Sequence, residues 1–239
     1  MPITLAQIQS RIPNDHTRQI TAEYYIEALP VAPIRVLDVG AGDGRSIDVF
    51  RRRLPDLKWV GVDIPDSPEV RERRRADCEF VSYDGVNLPF DPGSFDVVYS
   101  RQVFEHVRHP EPLLREITRV LRPGGLFIGS VSQLEPLHSF SLWNFTYYGF
   151  AVICEDAGLR LEEFRPGLDG FTLCFRNFIV FWLRQNIAGF FLPMINNSSP
   201  FNSYIESLGG SEKKSAKQIN LDKLTYCGHL CFKFSKPAR

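Results

Sequence analysis

Net charge is what this sequence lacks. Its 239 residues set 28 Lys and Arg against 28 Asp and Glu. Such a balance leaves no global electrostatic footprint for DNA, RNA or an acidic membrane surface. Cysteine is sparse and odd in number, with five residues at 78, 154, 174, 227 and 231. Cys227 and Cys231 do not have zinc-knuckle spacing and no second pair follows, so no metal is expected. Scattered single thiols fit a reduced, cytoplasmic protein. A long apolar run is also missing. The most lipophilic stretch, "FRNFIVFWLRQNIAGFFLPMI" (175–195), is broken by Arg176 and Arg184. A spanning helix needs ~20 consecutive apolar residues, so this stretch is read as lying on a surface. The opening "MPITLAQIQSRIPNDH" has neither the basic segment nor the apolar core of a signal peptide, so no leader is expected there.

The remainder is ordinary: 44% hydrophobic and 23% charged residues, as in soluble globular domains. The length suits one α/β domain, with or without an insertion. A helix is expected over 14–29, ended by Pro30 and Pro33. Short β-branched runs then alternate with helical spacing. Strands are read at 34–39, 58–63, 79–84, 95–100 and 126–132, and helices at 46–54, 67–77 and 111–121. This alternation implies a parallel sheet with helices on both faces, and ligands at the carboxyl ends of its strands. A helix (147–159) and a strand (160–167) follow, then a long irregular, aromatic-rich section. A final strand over 226–236 makes 171–225 an insertion within one domain. The polar "GGSEKKSAKQ" (209–218) reads as a mobile loop.

The informative stretch is "VLDVGAGDGRS" (36–46). A dinucleotide fingerprint would have a small residue where Arg45 stands, and a triphosphate loop would end in Gly-Lys-Ser/Thr. Neither is present. What remains is D-x-G-x-G-x-G, with Asp63 ending the second strand and Asp84 the third. Glycines in that register serve close backbone approach to a ligand. They would equally serve a tight βα turn, and Asp38 alone also suits a helix cap. Asp43 is read as a cap for helix 46–54, Asp96 as structural, and "RERRR" (71–75) as a solvated helical surface.

The chain resembles the class I S-adenosylmethionine-dependent methyltransferases from about residue 34 to 132. The resemblance rests on "VLDVGAGDG", "GVDI", "YDGVNLPFDPGSFDVVYSRQVFEHV" and "LLREITRVLRPGGLFIGSV", in order and at fitting spacings. It implies a Rossmann-like, doubly wound, mostly parallel seven-stranded sheet with an antiparallel last strand. A helical and aromatic insertion would precede that strand. The expected organisation is a single domain over 1–239: an N-terminal helical cap (1–33), a cofactor-binding core (34–170), an insertion or lid (171–225) and a final strand and tail (226–239). The implied cofactor is S-adenosyl-L-methionine, with S-adenosyl-L-homocysteine as product. By resemblance Asp38, Gly40, Ala41 and Gly42 meet its methionine moiety, Asp63 and Ile64 its ribose side, Asp84 and Gly85 its adenine, and Ser100 the end of its methionine tail.

Methyl transfer to an alcohol also needs a proton acceptor, and histidine is the usual one. His106 in "FEHV" and His138 in "SQLEPLHSFSLWNFTYYGF" are the catalytic candidates. The competing readings are a helix cap for His106 and a plain loop residue for His138. His109 is read as inert and Glu105 as a salt-bridge partner. Glu135, Trp143 and Tyr147 share the acceptor loop with His138. The expected reaction is O-methylation of a small-molecule or glycan hydroxyl, the alternative being carbon or nitrogen methylation of a quinone-like or natural-product acceptor. A non-catalytic binding protein is the third reading. Nucleic acid is not an expected partner, because "SRQV" stands where an Asn-Pro-Pro-Tyr-type motif would. The 171–195 stretch is read as a peripheral membrane contact, a lid or a homodimer contact.

Overall fold

A computed structural model describes residues 3–32, 34–182 and 199–238. Seven strands form one sheet in the order β3-β2-β1-β4-β5-β7-β6. They are β1 (Arg35–Val39), β2 (Lys58–Asp63), β3 (Glu79–Ser82), β4 (Phe95–Arg101), β5 (Leu121–Ser132), β6 (Arg160–Pro166) and β7 (His229–Ser235). The pairs from β3 to β5 are parallel, and β7 runs antiparallel to both β5 and β6. The expected Rossmann-like sheet with its antiparallel last strand is therefore observed. Its parallel strands are buried on both faces, which is why they read as continuous apolar runs. Successive residues alternate between two cores. Leu37, Val39, Val98 and Phe127 pack on one face, while Val36, Val97, Tyr99 and Ile128 pack on the other.

Helices cover both faces: α1 (Leu5–Ser10), α2 (Glu23–Glu27), α3 (Ser46–Arg53), α4 (Pro68–Glu72), α5 (Pro110–Val120) and α6 (Tyr147–Asp156). Helix α5 starts with proline in its first turn and buries Leu113, Leu114, Ile117 and Val120. It ends before "RPGG", because Leu121 already pairs with Phe95 at the start of β5.

Two expected helices are shorter than read. Only Glu23–Glu27 of the 14–29 stretch is helical, while Thr4 and Gln7 form a capping box that starts α1 instead. Tertiary contacts take the backbone groups that a longer α2 would have used. Asn220 Nδ2 donates to Pro13 O and His16 O, and Lys223 Nζ donates to Thr17 O at 2.6 Å. The Arg165 guanidinium meets the Asp15 carboxylate at 2.6 Å and holds that carboxyl well below its usual pKa. The 67–77 helix stops at Glu72, after which the chain is extended to Asp77.

Between β6 and β7 the described residues are helical rather than irregular: α7 (Gly170–Trp182), α8 (Pro200–Ser211) and α9 (Ala216–Thr225). "GGSEKKSAKQ" is mostly the end of α8 and the start of α9, joined by a short turn. Ser199 and Ser215 cap these two helices through Asn202 N and Gln218 N. Much of the 175–195 stretch lies outside the described residues. Among the described residues, no helix is long and apolar enough to cross a membrane.

Candidate functional site

The carboxyl ends of β1, β2 and β4 open onto the glycine loop. Gly40 and Gly42 have φ of +72° and +53°, the left-handed region that favours glycine. A Cβ on Gly40 would stand 2.3 Å from Val103 Cγ2, so the loop lies directly against the segment after β4. Gly42 N donates to Asp63 Oδ2 and Ile64 N to Asp63 Oδ1, both at 2.8 Å. A carboxylate accepts about four hydrogen bonds, so each oxygen keeps capacity toward a ligand diol. Burial raises the Asp63 pKa, against those two backbone bonds.

Asp38 is buried within β1, where its carboxylate accepts from Ser46 Oγ. It receives no backbone N–H from α3, so it is not acting as a helix cap. Burial pushes its pKa up to about 7, with the Asp63 charge adding to the rise against the Ser46 bond. Among the described residues no ion pair joins Asp38 to a cation. Ser100, at the end of β4, is fully buried and its Oγ has no partner among the described residues. Ala41 is buried at the floor of the loop. Ile64 is 42% exposed, and its Cγ2 lies 3.7 Å from where a Gly85 Cβ would stand. That pair offers an apolar wall beside Asp63. Asp84 is engaged in its own turn: Val86 N, Asn87 N and Asn87 Nδ2 donate to it. The Asn87 bonds hold its carboxyl below the usual range.

"RERRR" is not a solvated helix. Its second half is extended, which points alternate arginines at the loop. Arg73 Nε donates to Gly42 O at 2.7 Å with its guanidinium 3.7 Å from the Phe80 ring centre. Arg75 donates to Gly44 O at 3.0 Å and pairs with Asp48. Asp43 pairs with Arg45, whose own position at the start of α3 carries no side-chain cap. Asp96 accepts from Arg35 N and pairs with Arg122, a structural role.

A second cluster adjoins the loop at the ends of β4 and β5. Gln102 follows β4 with φ +54°, a conformation that a side chain makes costly and that functional turns often hold. A 3-10 turn (Phe104–His106) then presents Glu105 and His106. The loop after β5 is laced onto this turn. Leu142 N and Trp143 N donate to Glu105 O at 2.6 and 3.1 Å, and Trp143 Nε1 donates to Val107 O at 2.9 Å. His138 is thereby set beside His106, with ring centres 5.1 Å apart and planes at 85°. His106 caps nothing: the residue at the start of α5 is the exposed His109.

Glu105 is fully buried. Ser132 Oγ donates to its Oε1 at 3.1 Å, while Oε2 has no partner among the described residues. In the orientation that satisfies both its ends, the Gln102 amide also donates to Glu105 Oε1 at 3.0 Å. Burial raises the Glu105 carboxyl to about 7, and no lysine or arginine in the described residues pairs with it, so the salt-bridge reading fails. Burial also lowers His106, helped by His138, which favours a neutral imidazole. Glu135 meets His229 Nε2 at 3.2 Å and lies 3.7 Å from His138 Nδ1. Its own burial is outweighed by the His229 bond and charge, so it stays below the usual range. Leu137, Phe140, Leu142 and Trp143 stand exposed along the same loop, and Tyr147 begins α6 beside it.

A family model described as a methyltransferase domain matches residues 37–129, which span the glycine loop and both site acids. Over those residues this chain is similar to methyltransferases. An "uncharacterized methyltransferase" of Mycobacterium sp. (strain JLS) is 39% identical over 160 residues, covering 65% of this chain and 62% of the relative. The chain thus spans under two thirds of that relative's length. The phthiotriol/phenolphthiotriol dimycocerosates methyltransferase of Mycobacterium tuberculosis (strain H37Rv) is 33% identical over 112 residues, or 46% of this chain and 41% of that one. Among solved structures, the [4+2]-cyclase SpnF superposes with a TM-score of 0.60 at 18% identity, covering 91% of this chain and 80% of that one. Phosphoethanolamine N-methyltransferase 2 of Haemonchus contortus, solved with S-adenosyl-L-methionine, gives 0.56 at 20% identity, with 90% and 52% covered. Likeness of that degree establishes a shared fold alone.

The folded sheet brings Asp38, Gly40, Ala41, Gly42, Asp63, Ile64 and Ser100 to one edge. Asp84 and Gly85 reach that edge through the Ile64 contact. Four further residues were not read from the sequence as part of this region: Arg73, Gln102, Ser132 and His229. Their positions depend on strand register and on an extended segment, which periodicity does not encode. A polar Gln-Val immediately after an apolar strand was the one available signal for Gln102.

Proposed function

We propose that this chain is an S-adenosylmethionine-dependent methyltransferase that methylates a hydroxyl on an acceptor with an apolar body. One observation carries the reading. At a single sheet edge, a glycine loop flanked by the buried Asp38 and the half-buried Asp63 meets a histidine and glutamate cluster reached by an exposed apolar loop. The residues fit the cofactor. Asp38 would hold the ammonium group, Asp63 the ribose diol, and Ile64 with Gly85 the adenine face, while Gly40 and Gly42 leave room where side chains would intrude. Asp84 would add a polar contact at the adenine rim, and Ser100 Oγ is a free polar atom at the floor. When bound, the cofactor supplies an electrophilic methyl group on a sulfonium sulfur.

The chain's own work is positioning and proton removal. Holding an acceptor in line and dry supplies ~7–11 kcal/mol of the barrier. The cluster of Glu105, His106 and His138 would take the acceptor's hydroxyl proton on an imidazole lone pair, which burial favours at His106 by keeping that ring neutral. Leu137, Phe140, Leu142 and Trp143 would carry the acceptor's apolar body. The M. tuberculosis relative, whose name gives phthiotriol and phenolphthiotriol dimycocerosates, supports a hydroxyl-bearing acceptor. Exposed Phe171 and Phe175 on α7 would add apolar surface for a lipid-linked acceptor.

The test is labelled-methyl transfer to a panel of apolar alcohols, phenols, glycans, quinones and amines. Transfer to an alcohol or phenol is expected; transfer only to carbon or nitrogen would replace the acceptor assignment. Binding carries a second test. Asp38 must be ionised to hold an ammonium, and its carboxyl lies at about 7 without ligand. Affinity for S-adenosylhomocysteine should therefore fall as pH drops below about 7, approaching tenfold per pH unit, and level off above about 8. Titration calorimetry at several pH values measures it. A flat profile between pH 6 and 8 removes Asp38 from the ammonium role.

A further inference from the structure

We infer that Glu105, His106 and His138 form a binding site for one divalent transition-metal ion of the zinc type. One donor atom from each residue lies within 4.8 Å of the other two. Two imidazoles and one carboxylate are the donor set of zinc and related borderline ions, and three protein ligands leave a position for an exchangeable oxygen. Glu105 is the strongest indication. It is 0% exposed, its Oε2 has no partner, and no cation among the described residues neutralises it. A buried carboxylate oxygen without a partner is costly, and a metal ion removes that cost.

The surroundings match what ligands need around them. Ser132 Oγ holds Glu105 Oε1, leaving Oε2 without a partner. His138 Nδ1 lies 3.2 Å from Pro136 O, a contact that fixes its tautomer and frees the other ring nitrogen as a lone pair. Glu135 stands behind His138 and is itself anchored on His229. Metal–ligand bonds of about 2.0–2.1 Å imply donor separations of about 3.4 Å in a tetrahedron. The donors must therefore close by on the order of 1 Å, which the part-exposed His138 can supply from its loop.

The site itself does not depend on methyl transfer; its role does, and there it rests on the reading given above. An acceptor hydroxyl taking the open position would lose its proton more readily, as water does on zinc. With the three side chains engaged as ligands, the proton passes to solvent and not to an imidazole; the alkoxide lone pair then forms the O–CH3 bond as the cofactor's S–CH3 bond breaks and its sulfur leaves as a neutral thioether.

The experiment uses the full chain stripped with a chelator. Zinc chloride is titrated by calorimetry, and cobalt(II) is followed by its visible absorption. One ion per chain is expected. His106→Ala, His138→Ala and Glu105→Gln should each weaken binding on the order of 100-fold or more, while His109→Ala leaves it unchanged. S-adenosylhomocysteine binding by the same samples reports that the variants are folded. Absence of a zinc site, or one that survives His106→Ala and His138→Ala, overturns the inference. Methyl transfer to a hydroxyl that persists in chelator with no zinc bound defeats the metal and keeps the reaction. A metal site without transfer to any hydroxyl keeps the site and defeats the reaction.

Discussion

Replacing His106 or His138 with alanine is expected to cut methyl transfer by about 10²–10⁴-fold with cofactor affinity unchanged within about twofold. That loss corresponds to about 2.7–5.4 kcal/mol of transition-state stabilisation. Both rings follow Val103, which lies against Gly40 of the glycine loop, and their centres are 5.1 Å apart. Neither touches the loop's own hydrogen bonds, which run through Asp63, Arg73 and Arg75. Because the two rings serve one acceptor oxygen, their losses will not add: the double variant should be about as slow as the worse single one. Turnover from labelled-methyl transfer and affinity from calorimetry separate the terms. Wild-type turnover in both variants would return the pair to a structural role, and loss of cofactor affinity would show that the loop had been disturbed.

Asp63→Ala is expected to weaken S-adenosylmethionine binding by about 10–100-fold, or about 1.4–2.7 kcal/mol. Two effects combine there. The carboxylate accepts from Gly42 N and Ile64 N and so shapes the loop, and it would also grip the ribose diol. Asp63→Asn separates them: its carbonyl oxygen still accepts from Gly42 N, while the negative charge and half the acceptor capacity are gone. Asparagine should fall between wild type and alanine. An affinity equal to wild type in both variants removes Asp63 from the ribose role.

The core was legible because its information is local. A run such as "RVLDV" is buried beyond its exposed Arg35, so the rest of it is apolar apart from Asp38 near the functional end. Glycines at positive φ mark where the chain turns out of β1. The same locality misled at 14–29, where helical spacing is present but Lys223, Asn220 and Arg165 draw the chain into an extended path. Local preference is worth tenths of a kcal/mol per residue, and several part-buried tertiary hydrogen bonds outweigh it. The arginines of "RERRR" show the same limit: their partners are loop carbonyls that approach only once β2 and β3 lie beside β1.

The chain's own letters determined the alternation of strand and helix, the glycine loop and the acids that end the strands, because each depends on neighbours a few residues away. Only the folded sheet decided that His138 meets His106, that Glu105 lies buried with an unshared oxygen, and that Glu135 leans on His229. Those meetings follow from parallel crossovers and from β7 entering beside β5. The physical reason is that side chains from separate elements meet through strand register, which no local pattern encodes.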